Sequence, residues 1–147
     1  MAGLILADIH NALADQIRVG IDRQTNVYPF PNGSYNTPAV TVHSDPSGYI
    51  SYWGTFGPNG DADILLRLKI EVDAADVESM CIKIADYLSV GTGNDSSIVD
   101  AVMADRTLGG VVGDCVILTA EWDTENEPFV AYLPVQIILR KVNAEVA

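Results

Sequence analysis

Between residues 62 and 73 the chain alternates without a break. Ala62, Ile64, Leu66, Leu68, Ile70 and Val72 fall on one side, and Asp63, Leu65, Arg67, Lys69, Glu71 and Asp73 on the other. A period of two marks a strand with one buried and one solvated face, the usual arrangement in an antiparallel sheet. The apolar stretch 129–141 repeats the pattern, with Phe129, Ala131, Leu133, Val135, Ile137 and Leu139 on one face. Pro134 has no N–H to donate, which predicts an edge strand or a bulge at that point. Three further strands are predicted at 38–44, opened by Pro38, at the aromatic-rich 49–53, and at 115–122.

Elsewhere the period lengthens. Leu6, Ile9, Leu13 and Ile17 recur at helical spacing, with Asp8, Asn11, Asp15 and Arg18 on the other side, so 3–21 is predicted helical and Gly20 ends it. His10 falls among the polar positions and is read as a surface residue. A second helix is predicted over 76–89, with Val77, Met80, Cys81, Ile84 and Leu88 as its inward stripe and Asp73 or Asp76 near its N-terminus. A short third helix, capped by Asp95 or Ser96, turns Ile98, Val102 and Met103 inward and stops at Leu108-Gly109-Gly110. Residues 22–37 form a polar connector in which Pro29 and Pro31 favour extended geometry and Asn32-Gly33 favours a turn. It reads as an extended arm laid over the body or over a neighbour. Residues 143–147 read as a frayed tail. The order predicts an α+β fold of one domain, 147 residues long, with a mostly antiparallel sheet of about five strands and two to three helices packed on one face.

Composition narrows the function classes. At 48% hydrophobic and 19% charged, the chain can bury a core and still show apolar surface to a partner. Eight Lys and Arg against twenty Asp and Glu give a net charge of −12. That balance excludes binding to nucleic acid through a phosphate-neutralising footprint. The acidity either keeps the protein soluble or keeps passing DNA from sticking. Cys81 and Cys115 sit in apolar patterns with no CxxC, as buried free thiols in a reducing cytoplasm would. The opening MAGLILADIH lacks a basic n-region, and no apolar run approaches the ~18 residues of a membrane span, so no membrane partner is expected.

Chemical motifs are sparse. Asn59, Asp61 and Asp63 alternate as in a calcium loop but lack the glutamate at the twelfth position, so 54–61 is expected to be a hairpin loop. His10 and His43 have no neighbouring ligand residues, and Gly91-Thr92-Gly93-Asn94 is not followed by Lys-Ser/Thr. Gly109, Gly110 and Gly113 precede a strand instead of a helix, unlike a dinucleotide loop. No catalytic residue, metal site or cofactor is expected, and the chain is not expected to be an enzyme.

The ordered features nevertheless resemble a family. These are the N-terminal amphipathic helix, Val27-Tyr28-Pro29-Phe30-Pro31 leading to Pro38-Ala39-Val40, and the alternating strand with its following helix. Then come SIVDAVMADRTLGGVVGDCVIL, with its Asp105-Arg106-Thr107-Leu108-Gly109-Gly110 turn, and the closing YLPVQIIL. In this order and spacing they resemble the tail terminator, or tail completion, proteins of long-tailed bacteriophages. The resemblance implies a structural subunit of a six-membered ring. That ring caps the head-proximal end of the tail tube, stops its polymerisation and joins tail to head while DNA passes through. Its implied partners are further copies of itself, the major tail tube protein and a head-completion or connector protein. Its implied place is the virion tail, after assembly in the host cytoplasm.

A head-to-tail ring needs two different patches per subunit. The candidates are Tyr28, Phe30, Tyr49, Tyr52, Trp53 and Phe56, together with the strand around Pro134. Asp61, Asp63, Asp123 and Glu125 are the candidate lumen-facing acids. Another neck or head–tail adaptor, or an acidic soluble ligand-binding α+β domain, remain the alternative readings.

Overall fold

The computed structural model describes residues 6–21, 25–31, 36–46, 48–52, 62–72, 76–90, 97–122 and 130–138. Their elements run α1 (Leu6–Gly20), β1 (Asn26–Tyr28), β2 (Ala39–Ser44), β3 (Ile50–Tyr52), β4 (Ala62–Glu71), α2 (Val77–Leu88), α3 (Ile98–Met103), β5 (Asp114–Ile117), β6 (Glu121–Trp122) and β7 (Val130–Ile138). The α+β class, the single domain and the helices on one face of the sheet are all as the sequence predicts. The expectations for the loop 54–61, the Gly91–Asn94 loop and the tail 143–147 lie outside the described residues.

The long alternating strand is the centre of the sheet. β4 pairs antiparallel with β7 from Asp63↔Ile138 to Glu71↔Val130. Its other edge is shared end to end by β2, against Leu66–Glu71, and β3, against Ala62–Ile64. The far edge of β7 is likewise shared by β5, against Val135–Ile138, and β6, against Ala131–Tyr132. Seven strands therefore fill five ranks, in the order β1, β2 with β3, β4, β7, then β5 with β6. All the pairings are antiparallel except β1 with β2.

Register carries the alternation across the sheet. Val27, Val40, Ile70, Ala131 and Trp122 form one row of the inner face. Ile50, Ile64, Ile137 and Cys115 form another. Leu66, Leu68, Leu133 and Val135 fill the space between, and nearly all of these side chains are buried. The helices close this face. α1 contributes Ile9, Leu13, Ala14 and Ile17, α2 contributes Met80, Ile84 and Tyr87, and α3 contributes Ile98, Ala101 and Val102. All belong to one continuous core. Burying each large aliphatic side chain stabilises the fold by about 1.5–3 kcal/mol.

Several local expectations are corrected. The connector 22–37 contains a strand, β1, which joins the sheet edge in parallel pairing. Residues 115–122 are two strands, β5 and β6, separated at Leu118–Ala120. β7 is an inner strand and not an edge, yet Pro134 is still accommodated: on the β5/β6 side neither Leu133 nor Pro134 has a partner. The proline stands opposite the interruption, where there is no strand for a missing N–H to serve. The stripe on α2 is rotated. Val77 is 56% exposed, while Tyr87 is buried because its hydroxyl is 2.6 Å from Thr25 Oγ1.

The helix caps also resolve. Asp76 caps α2, its carboxylate accepting from Ser79 N at 2.8 Å. The cap of α3 is Ser97, not Asp95 or Ser96. Its Oγ accepts from Asp100 N at 3.1 Å and donates to Ser89 O, so one hydroxyl ties the end of α2 to the start of α3.

Gly20 does more than end α1. A Cβ there would lie 2.5 Å from Ala101 Cβ and 3.0 Å from its Cα, so the missing side chain lets α1 touch α3. Gly20→Ala should destabilise the fold by about 1–3 kcal/mol through overpacking, outweighing the better helix propensity of alanine. Urea unfolding checks this. An unchanged midpoint would show that the two helices can separate freely.

Candidate functional site

Two constellations stand out among the described residues, on opposite sides of the helix–sheet interface. The first centres on His10, which the sequence reading placed on the surface. It is only 4% exposed. Its Nδ1 lies 2.8 Å from Pro29 O, and a carbonyl can only accept, so Nδ1 carries the proton. Nε2 is then the acceptor for the Tyr49 hydroxyl at 2.9 Å. Phe30 stacks on the imidazole with ring centroids 4.3 Å apart and an interplanar angle of 8°, and Tyr49 meets it edge-on at 6.0 Å.

One histidine on α1 thus holds the connector at Pro29–Phe30 and the approach to β3 at Tyr49. Two of the predicted interface aromatics, Phe30 and Tyr49, are brought together here. Phe30 keeps 42% of its surface exposed, so the clasp ends at an aromatic surface. Tyr28 stands apart on β1, where its hydroxyl accepts from Asn36 N at 3.1 Å. Tyr52 lies in β3, opposite Ala62. Trp53 and Phe56 lie outside the described residues.

The second constellation is the outer face of the sheet. Here the rows are polar: Tyr28, Thr41, Lys69, Tyr132 and Glu121 in one, and His43, Arg67 and Pro134 in the next. Arg67 leans over Tyr132, its Cζ 4.1 Å from the ring centroid. Five polar atoms on this face are buried without a hydrogen-bond partner: Thr41 Oγ1, His43 Nε2, Asp63 Oδ1, Arg67 Nε and Glu71 Oε1. All belong to β2 and β4, and they include both donors and acceptors. An unmet buried polar group costs roughly 1–3 kcal/mol, so these positions make the outer face a less stabilising layer than the apolar inner one. Asp63 is the one candidate lumenal acid within the described residues. It lies at the β3 end of this face, while Asp61, Asp123 and Glu125 lie outside them.

The Asp105–Gly110 turn shapes the edge beside β5. Asp105 does not pair with Arg106. Its carboxylate accepts from Thr107 N, Thr107 Oγ1 and Gly109 N at 2.8–3.1 Å, and these bonds, that of the Thr107 side chain first, hold its pKa below the usual value. Leu108, Gly109 and Gly110 take φ values of 52°, 73° and 90°, which explains the two glycines. Val102 is buried, as the sequence predicts, and so is Leu108. Arg106 reaches away to grip Asp114 with two bonds of 2.8 Å and also donates to Cys115 O at 3.3 Å. The turn therefore covers part of the open edge of β5.

Among the described residues no three His, Cys, Asp or Glu side chains converge on a metal position, and no helix is long and apolar enough to cross a membrane. No protein-family model matches the chain, and no curated protein matches it either.

The two histidines give a pH signature. Burial is the main cause that lowers both below the ordinary 6.5, and in His43 the Lys69 and Arg67 charges add to it. A base with a depressed folded-state pKa binds protons more readily when unfolded. The stability it contributes is therefore complete above 6.5 and is lost as pH falls through the folded value. From about pH 7 to pH 5 the wild type should lose more stability than His10→Gln, which keeps a donor and an acceptor but does not titrate. Comparing the two proteins removes the general relief of carboxylate repulsion. Parallel curves would show that His10 does not titrate in this range.

The thiols should also differ. Cys115 is buried and its pKa is pushed up to about 11, chiefly by burial and then by the Asp114 charge, whereas Cys81 on α2 is half-buried. A thiol reagent should label Cys81 in the native protein and reach Cys115 only after unfolding. Equal native labelling rates would contradict this packing.

Proposed function

We propose that this chain is a structural subunit that assembles with further copies into a ring capping the head-proximal end of a long-tailed phage tail tube. In this reading it stops tube growth and joins tail to head. It acts by shape, with one surface fitting the tube end and the other presenting no tube-like end for further addition. Two things support the reading. One is the resemblance of the ordered segments to tail terminator proteins. The other, on which the reading leans in the structure, is the open aromatic surface at Phe30, which stays 42% exposed while its stack on His10 fixes its orientation.

The net charge of −12 fits the same role, since acidic walls repel DNA and let it pass without adsorbing. Asp61, Asp63, Asp123 and Glu125 are the proposed wall residues. The proposed aromatic contacts to a neighbouring subunit or the tube start from Phe30, which the His10 clasp already fixes in place.

The test combines mass measurement with a tube assay. The purified protein, alone and mixed with tail tube subunits, should give rings with a channel at least as wide as a DNA duplex, about 20 Å, and should hold tubes at finite length. Tubes that grow equally long with and without the protein would remove the capping function.

A further inference from the structure

We infer that Arg18 and Arg106 plug the two open edges of the sheet and so keep a second copy of this chain from adding its own strands there. The inference is independent of the ring reading, because it names surfaces through which copies are kept from joining.

Among the described residues β1 and β5 are the outermost strands, at opposite ends of the sheet. Alternation decides which backbone groups each one turns outward. Asn26 N donates to Pro38 O at 2.9 Å, so Asn26 faces β2 and Val27 faces the open side. At β5 the alternation passes through two ladders. Leu65 bonds away from β7, donating to Tyr49 O and accepting from Asp45 N, so its neighbour Ile64 exchanges bonds with Ile137. Ile137 thus turns away from β5, and its partner Cys115 faces the open side.

Both outward residues are met by an arginine. Arg18, on α1, donates from one Nη to Val27 O at 2.7 Å and from the other to Asp15 Oδ1 at 2.6 Å. Arg106, in the turn before β5, donates from Nε to Cys115 O at 3.3 Å and grips the Asp114 carboxylate with two bonds of 2.8 Å. Asp114 Oδ1 in turn accepts from Cys115 N at 2.9 Å. A strand adding to this edge needs that same carbonyl and that same N–H. The guanidinium, which only donates, takes the carbonyl, and the carboxylate, which only accepts, takes the N–H. Together they stand where the ladder of another strand would begin.

The β5 edge has particular need of a plug. Val111 and Leu118, just before and after the strand, are 44% and 76% exposed, and an unpaired edge with apolar flanks is a template for further strands. The two ion pairs lie in the open, with each of the four side chains at least 38% exposed. Pairs so exposed contribute little to the stability of the subunit itself. Their effect comes from where they sit.

Sedimentation of the full chain tests this with two double variants, Arg106→Ala with Asp114→Ala and Arg18→Ala with Asp15→Ala. Each removes one charge of either sign, so the net charge stays at −12 and the general repulsion between copies is unchanged. Both should melt within a few degrees of wild type and yet associate beyond the wild-type species at a concentration roughly ten-fold lower or less. Adding Leu118→Lys to the first should return it to wild-type behaviour, because a lysine beside an edge strand blocks further pairing. That lysine makes the chain less acidic, so the return cannot come from stronger repulsion. Wild-type sedimentation of either double variant would overturn the role of its arginine. Association of the first that Leu118→Lys leaves unchanged would overturn the β5 plug, since the contact would lie elsewhere. A steep fall in melting temperature would also overturn the inference, since the pairs would then hold the subunit together instead of guarding its edges. None of these outcomes bears on whether wild-type copies form a ring through other surfaces.

Discussion

The ladder between β4 and β7 is the constraint from which the rest follows. It is the longest pairing among the described residues, and apolar and polar positions alternate along most of both strands. Because side chains repeat every two residues, one register fixes both faces together. A slip of one residue in β4 would drive Arg67, Lys69 and Glu71 into the core and expose Leu66, Leu68 and Ile70. The charged positions therefore enforce the pairing as strongly as the apolar ones. Once the ladder is set, the short strands need no strong preference of their own. β3, β5 and β6 each pair over only a few residues with a neighbour already in place.

The outer layer of the structure is held differently, by polar groups at a few points. His10 ties segments nineteen and thirty-nine residues away to α1. Ser97 joins the end of α2 to α3, and Thr25 meets the buried hydroxyl of Tyr87. These contacts are directional, so they orient elements that apolar packing alone would leave free to slide. Gly20 serves the same end by subtraction, because the bare backbone sets how closely α1 and α3 approach. Apolar rows hold the layers together, and single polar side chains fix their angles.

How much of this was legible in the sequence depended on how far each residue's partner lay along the chain. β4 was plain because ten residues of alternation are local information. β1 was not: three residues just ahead of Pro29 have no readable period, and their partner is a parallel neighbour reached only after the connector turns back. The edge position assigned from Pro134 failed because the rule concerns one N–H, and the fold supplies a gap in the next rank at that point. The α2 stripe was misplaced towards Val77 because Tyr87 needed Thr25 to become buriable. At the candidate site, Phe30 and Tyr49 were visible as aromatics, but their meeting point was a histidine whose helical position looked solvent-facing. The polar row on β4 was legible. That its atoms end up buried and unpaired depends on Thr41 and His43, brought alongside by register.

The net charge places a condition on any assembly of this chain. Copies carrying −12 each repel at long range, so association has to come from short-range complementarity at a surface that is locally not acidic. Few such surfaces exist when cations number eight and two of the described ones are engaged with their own carboxylates. The outer sheet face sets Arg67 and Lys69 among Asp63, Glu71 and Glu121, so its charges are mixed and not uniformly acidic. Charge distribution, and not apolar area alone, therefore governs where two copies of this chain can approach.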